Sequence, residues 1–232
     1  MIRYNLSDRI VAFTTTKHYG RDAESLCKAL GLPASRFARP HQVHGITVRQ
    51  LTESDFQHTE LLSPNSSLLE GVDAVIYDVK NACIGISTAD CIPVLCYDSE
   101  HHCAAAIHAG WKGTVQRIVE HTLEEMQRVF NTDISILKCA IGPGISLDSF
   151  EVGDEVYDAF KAARFDMNSI AKLYNKWHID LKECNRQQLL HMGVKAANIY
   201  MSPVDTKTDE RFYSARREGA DTGRILSGIV LQ

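Results

Sequence analysis

Four apolar runs of about five residues, at 72–77, 82–87, 92–97 and 103–107, follow one another with only short turn-like stretches between them. Runs this short and largely apolar suit strands covered on both faces, because a half-exposed strand would alternate apolar with polar residues. The period then changes over 114–130, where Val115, Ile118, Val119, Leu123, Met126, Val129 and Phe130 fall on one stripe. That spacing predicts an amphipathic helix. Further strands are expected at 11–15, 46–51, 137–141 and 198–201. Helices are expected after an Asp22 cap, over 154–164, and from an Asp180 cap to Met192. Strands mixed with helices, without regular βαβ alternation, favour an α/β or α+β sandwich, here a single domain over 1–232 with a mixed central sheet and flanking helices. The stretch 52–70, polar around Pro64, reads as a long surface excursion, and the residues after 201 as a polar tail carrying Arg211, Arg216, Arg217 and Arg224.

Charge excludes some functions. The formal net charge of −4 argues against a nucleic-acid grip or an anionic membrane surface, both of which need clustered positive charge. No apolar stretch approaches the length that spans a bilayer, and the first residues lack the apolar core of a signal peptide. The seven cysteines are odd in number and no two are three positions apart, which excludes a fully paired disulfide framework and a Cys-x-x-Cys pair. Most of them sit among aliphatic neighbours as small buried hydrophobes. A reducing compartment, and so a cytoplasmic location, is expected. The residues specify no oligomeric state.

Three segments set metal-competent or nucleophilic side chains beside Gly or Pro at expected strand ends: His41-Gln-Val-His44-Gly45, Thr88-Ala-Asp-Cys91-Ile-Pro93 and His108-Ala-Gly-Trp-Lys-Gly-Thr114. Cys91 is expected to end one strand hairpin and begin the next. Brought together, the His44 and His108 imidazoles and the Cys91 thiolate would form a three-ligand set with an open fourth position, the plan of a catalytic zinc site. Taken singly, Cys91 also fits a buried structural thiol and His44 a satisfied loop histidine. Copper could take the same two His and one Cys. A Cys91 nucleophile with His108 as base, or a zinc-stabilised binding module, are further options.

The same segments carry a resemblance. Gln42-Val-His44-Gly45, Thr88-Ala-Asp-Cys91-Ile-Pro-Val-Leu95, His108-Ala-Gly-Trp-Lys-Gly-Thr114, Ile141-Gly-Pro143, Phe150-Glu-Val-Gly153, Phe212-Tyr-Ser214, Arg216-Arg217 and Gly223-Arg224 together resemble the polyphenol oxidase (laccase-domain) family, also called the peptidoglycan editing factor or purine nucleoside phosphorylase family. The resemblance implies a single α/β domain with zinc on His44, Cys91 and His108. It also implies phosphorolysis of adenosine, inosine, guanosine and methylthioadenosine, with deamination of adenosine. The family's older name implies copper oxidation, and peptidoglycan editing is a further role within it. Two positions depart from the family pattern: Gly144 and Asp205 stand where cysteines are frequent. On this reading Asp73 or Asp90 shuttles a proton or orients a ligand imidazole, Lys112 offers positive charge to phosphate, and Arg49, Arg211, Arg216 and Arg217 are weaker phosphate candidates. Alternatively, Asp90 is a turn or cap carboxylate and Lys112 a solvated surface lysine.

Overall fold

The apolar runs are strands, and both their faces are covered. A computed structural model describes residues 1–20, 22–57 and 69–232. Its strands are β1 (Ile2–Tyr4), β2 (Ile10–Thr14), β3 (Phe37–Ala38), β4 (Val48–Leu51), β5 (Ala74–Tyr77), β6 (Ala82–Thr88), β7 (Ile92–Asp98), β8 (Cys103–Ala109), β9 (Lys138–Ile141), β10 (Glu151–Val152), β11 (Ala171–Leu173), β12 (Trp177–Ile179), β13 (Ile199–Met201) and β14 (Ile225–Leu231). The helices are α1 (Ala23–Leu30), α2 (Trp111–Val115), α3 (Ile118–Phe130), α4 (Asp154–Ala162), α5 (Met167–Ile170), α6 (Leu181–His191) and α7 (Ala215–Glu218).

The expected α+β sandwich holds, and its mixed strands divide between two main sheets. One has the order β1-β2-β14-β6-β3, the other β13-β9-β7-β8-β5-β4, and a small sheet has the order β10-β12-β11. Strand alternation shows how they stack. In β5, Val75 and Tyr77 join Ile84, Ile86, Tyr97 and Ile229 in the core between the two large sheets. Ala74 and Ile76 face the other way, into the core made with Leu123, Met126 and Leu189 of the helices. The far side of the five-stranded sheet packs Phe13, Cys83 and Leu226 against Leu26 and Cys27 of α1. Both faces of the central strands are therefore dry, which accounts for unbroken apolar runs.

Three expectations change. The helix predicted over 114–130 is two, because Arg117 takes a left-handed φ of 66°. Its guanidinium donates to the Ala163 carbonyl at 2.8 Å and lies 3.7 Å from the Phe165 ring centroid. Gln188 of α6 fills the break, accepting from Val119 N and donating to Thr114 O. The polar tail ends in β14, a fully buried central strand whose apolar run is as clear as the four that were read. Cys91 does not join a hairpin: β6 pairs with β14 and β3, whereas β7 pairs with β8 and β9, so the 88–92 segment carries the chain from one sheet to the other. The surface excursion expected at 52–70 lies mostly outside the described residues.

Asp98, at the end of β7, tests the acid side of this core. Its fully buried carboxylate accepts from Glu100 N at 2.8 Å, His101 N at 3.2 Å and His101 Nδ1 at 2.8 Å. Burial raises its pKa, but the His101 bond and the backbone N–H groups outweigh burial and hold it below the usual carboxylate value. A depressed folded pKa gives stability that is present above the unfolded value and lost as pH falls through the folded one. Asp98→Asn should therefore lose about 1–2 kcal/mol near neutrality. Urea unfolding at a series of pH values should show the gap to the parent closing below about pH 4.

Candidate metal centre

His44 and Cys91 lie on two of the crossovers between the large sheets, after β3 and after β6, and His108 lies near the end of β8. One ligand atom from each residue lies within 4.8 Å of the other two. The residue that assembles them is Asp73, fully buried just before β5. Its Oδ1 accepts from His108 Nδ1 at 2.7 Å and from His44 N at 3.0 Å, while Oδ2 accepts from Gly45 N at 2.7 Å and Val43 N at 3.3 Å. One carboxylate thus accepts the hydrogen bond of the His108 Nδ1 proton, so that in the neutral imidazole the lone pair is on Nε2. It also holds the loop in which His44 adopts a left-handed φ of 64°. Gln42 tethers the same loop to β6, donating to Ser87 O at 2.8 Å and accepting from Ser87 N at 2.9 Å.

The electrostatics suit a thiolate. Burial raises the Cys91 thiol, but the His108 charge and hydrogen bonds from both imidazoles prevail and bring it down to about 6. Burial lowers His108, but Cys91 and Asp73 together push it up to about 9. Two imidazoles and a thiolate match the donor preferences of zinc and copper alike. Space fits as well. A Cβ built on Gly110 would stand 2.8 Å from His44 Cδ2 and 3.2 Å from Cys91 Sγ, so glycine there leaves the three ligands room to converge. Gly110→Ala should displace His44 and weaken metal binding at least about tenfold, a loss in the range for mispositioned ligands. Competition with a chromophoric chelator would measure it, with circular dichroism unchanged.

The three residues share the wall of a cavity of about 850 Å³, ample for a nucleoside. Asp90 lines it too, but both carboxylate oxygens are engaged: Oδ1 accepts from Thr206 Oγ1 at 2.7 Å, and Oδ2 from Ser214 Oγ at 3.0 Å and Arg216 N at 2.7 Å. Lys112 stands outside the cavity lining, exposed, with Nζ 5.8 Å from the Trp111 ring centroid. Of the other basic candidates, Arg49 pairs with Asp55, Arg211 with Asp209 and Arg217 with Glu218, and only Arg216 reaches the cavity. Arg39, Arg224, Ser87 and Thr88 also line it. Sequence reading passed over Arg39, although a basic residue before Pro40 at a strand end was a usable signal. The two departures from the family pattern are neighbours, since Gly144 and Asp205 form a β-bridge and Thr206 N donates to Gly144 O at 3.2 Å. Asp205 there accepts from the Ser146 and Ser149 hydroxyls at 2.8 and 2.6 Å.

Residues 15–232 match the family described as multi-copper polyphenol oxidoreductase laccase. The chain belongs to that family. A purine nucleoside phosphorylase of Bacteroides thetaiotaomicron is 40% identical over 95% of this chain and 85% of its own length. Adenosine deaminase RL5, from an unknown prokaryotic organism, is 40% identical over 88% of this chain and 79% of its own. Among solved structures, YlmD from Geobacillus stearothermophilus superposes with a TM-score of 0.91 at 27% identity, covering 99% of this chain and 94% of that one. This member of the laccase family is thus an enzyme, as expected. Among its described residues no helix is long and apolar enough to cross a membrane.

Proposed function

We propose that this chain is a zinc-dependent purine nucleoside phosphorylase of the cytoplasm that also deaminates adenosine. The observation that carries the reading is the convergence of His44, Cys91 and His108 within 4.8 Å on the wall of a nucleoside-sized cavity. Relatives named for both activities, at 40% identity, support it. The substrates would be adenosine, inosine, guanosine and methylthioadenosine, with phosphate as second substrate.

His44, Cys91 and His108 Nε2 would hold the ion, which when bound supplies a Lewis acid at the cavity wall. The chain's own part is to fix geometry. Asp73 keeps the His108 proton on Nδ1 and so keeps Nε2 turned to the ion. Gln42 and Asp73 together hold the His44 loop against the ends of β6 and β5. Phe37 and Phe150, which line the same cavity, give the purine apolar surface.

The test uses protein whose metal content has been quantified, incubated with adenosine with and without phosphate. Adenine and ribose 1-phosphate should appear only with phosphate, and inosine without it. Absence of all three products from protein with one zinc per chain would overturn the reading. The described residues contain one group of three His, Cys, Asp or Glu side chains able to share an ion, against the several that multicopper oxidation needs. The lowered Cys91 pKa also favours a second reading, a Cys–His hydrolase. Iodoacetamide separates the two: a ligated Cys91 reacts slowly in metal-replete protein, a free thiolate rapidly.

A further inference from the structure

The cavity that holds the proposed metal centre is electrically lopsided. Among the described residues three arginines line it, Arg39, Arg216 and Arg224, and Asp90 is the one acid. The two Asp90 oxygens accept from the Thr206 and Ser214 hydroxyls and the backbone N–H of Arg216. Two hydroxyls on the same cavity, Ser87 Oγ and Thr88 Oγ1, are buried without a hydrogen-bond partner among the described residues, and Thr88 is only 2% exposed. A buried hydroxyl without a partner is unfavourable, so such groups beside a cavity point to a polar ligand. Guanidinium groups with hydroxyl donors beside them form the set that binds a tetrahedral oxyanion.

Arg216 is held in place by Asp90. The short α7 that carries it packs no buried residue of its own. Its first turn is tied down by Asp90, through Ser214 Oγ at 3.0 Å and Arg216 N at 2.7 Å. Asp90 itself is locked in a left-handed conformation, φ 84°, and its carbonyl accepts from Ile145 N at 2.9 Å. At the outer end, the Arg216 guanidinium donates to Glu151 O at 2.8 Å and lies 5.3 Å from the Phe150 ring centroid. Asp90 thus joins the segment that presents Cys91 to the segment that presents Arg216.

We infer that the arginine-lined part of the cavity is the phosphate subsite, that Arg216 is its principal cation, and that Asp90 is the positioning residue that sets Arg216 beside the metal centre. This rests on the phosphorylase reading above and assigns residues to it. In the step served, an oxygen of hydrogen phosphate bonds to the anomeric carbon of the ribose as the bond from that carbon to the purine nitrogen breaks. The electron pair leaves with the purine, which takes up the proton of hydrogen phosphate, and ribose 1-phosphate is the other product. Arg216 binds the phosphate and spreads its charge, and the Ser87 and Thr88 hydroxyls donate to its oxygens.

Deamination needs no phosphate, so each protein preparation carries its own control. Initial rates of phosphorolysis would be followed against phosphate concentration for the parent, Arg216→Gln, Arg216→Lys and Asp90→Asn, all metal-quantified, alongside adenosine deamination in phosphate-free buffer. Arg216→Gln should raise the phosphate KM at least tenfold, and the ratio of phosphorolysis to deamination at low phosphate should fall by a similar factor. Arg216→Lys should recover part of the loss. Asp90→Asn should raise the phosphate KM in the same sense, with kcat falling less than KM rises. A phosphate KM within twofold of the parent in Arg216→Gln would overturn the subsite. So would parallel loss of both activities in Arg216→Gln and Asp90→Asn, which marks a merely structural role. A parent that deaminates adenosine yet forms no ribose 1-phosphate would instead overturn the phosphorylase reading itself.

Discussion

Cys91→Ala should abolish nucleoside turnover and leave the protein without stoichiometric metal. The thiolate is one of three proposed ligands and the only one with a negative charge, so the two imidazoles left behind form a weak neutral pair. Metal affinity should fall by more than about 100-fold, beyond the range that losing a hydrogen-bonded partner of a ligand costs. The fold should survive, because Cys91 is half-buried on a crossover and fills no core position. Against metal-free parent protein, the far-ultraviolet circular dichroism should be unchanged and the unfolding free energy should shift by less than about 1 kcal/mol. Full activity in a metal-quantified Cys91→Ala preparation would remove the metal centre from the mechanism.

Asp73→Ala should be worse for the fold than the loss of any ligand. The carboxylate is fully buried and accepts from three consecutive backbone N–H groups and from His108. Its removal strands those donors in a dry site, at about 1–3 kcal/mol for each that finds no water. A loss of about 3 kcal/mol or more is expected in urea unfolding, with metal affinity down at least about 10–100-fold. Asp73→Asn separates the two effects. The amide can keep one or two of the acceptor contacts but turns an N–H toward His108 Nδ1, so it should recover part of the stability and little of the metal binding. Equal recovery of both would mean that Asp73 acts only as a structural staple.

The parts of the site differ in how plainly the sequence announced them. Strands β5 to β8 were legible because their faces are both buried, so every residue repeats the same apolar message. The three proposed ligands were legible because His, Cys, Gly and Pro clustered in the segments expected at strand ends. Asp73 was named only as one of two carboxylate candidates, since a side chain that binds backbone N–H groups at 43–45 leaves no pattern in the residues it binds. Strand β14 was lost behind the arginines that precede it, although Ile225 to Leu231 are buried throughout. The break at Arg117 was invisible because what stabilises it, Gln188 and Phe165, lies far along the chain. Arg39 and Arg224 meet Arg216 only in three dimensions, and no local charge count reveals a cavity.

The placing of the ligands has a thermodynamic consequence. Two of them ride on the strands of chain that pass between the large sheets, and the third belongs to the six-stranded sheet alone. An ion held by all three would act as a rivet across the layers, and every unfolding event that parts the sheets would have to release it. Its binding free energy would then add to resistance against heat by mass action, about 2.7 kcal/mol at a free concentration 100 times the dissociation constant. Chelation would lower the melting temperature of a protein that remains folded.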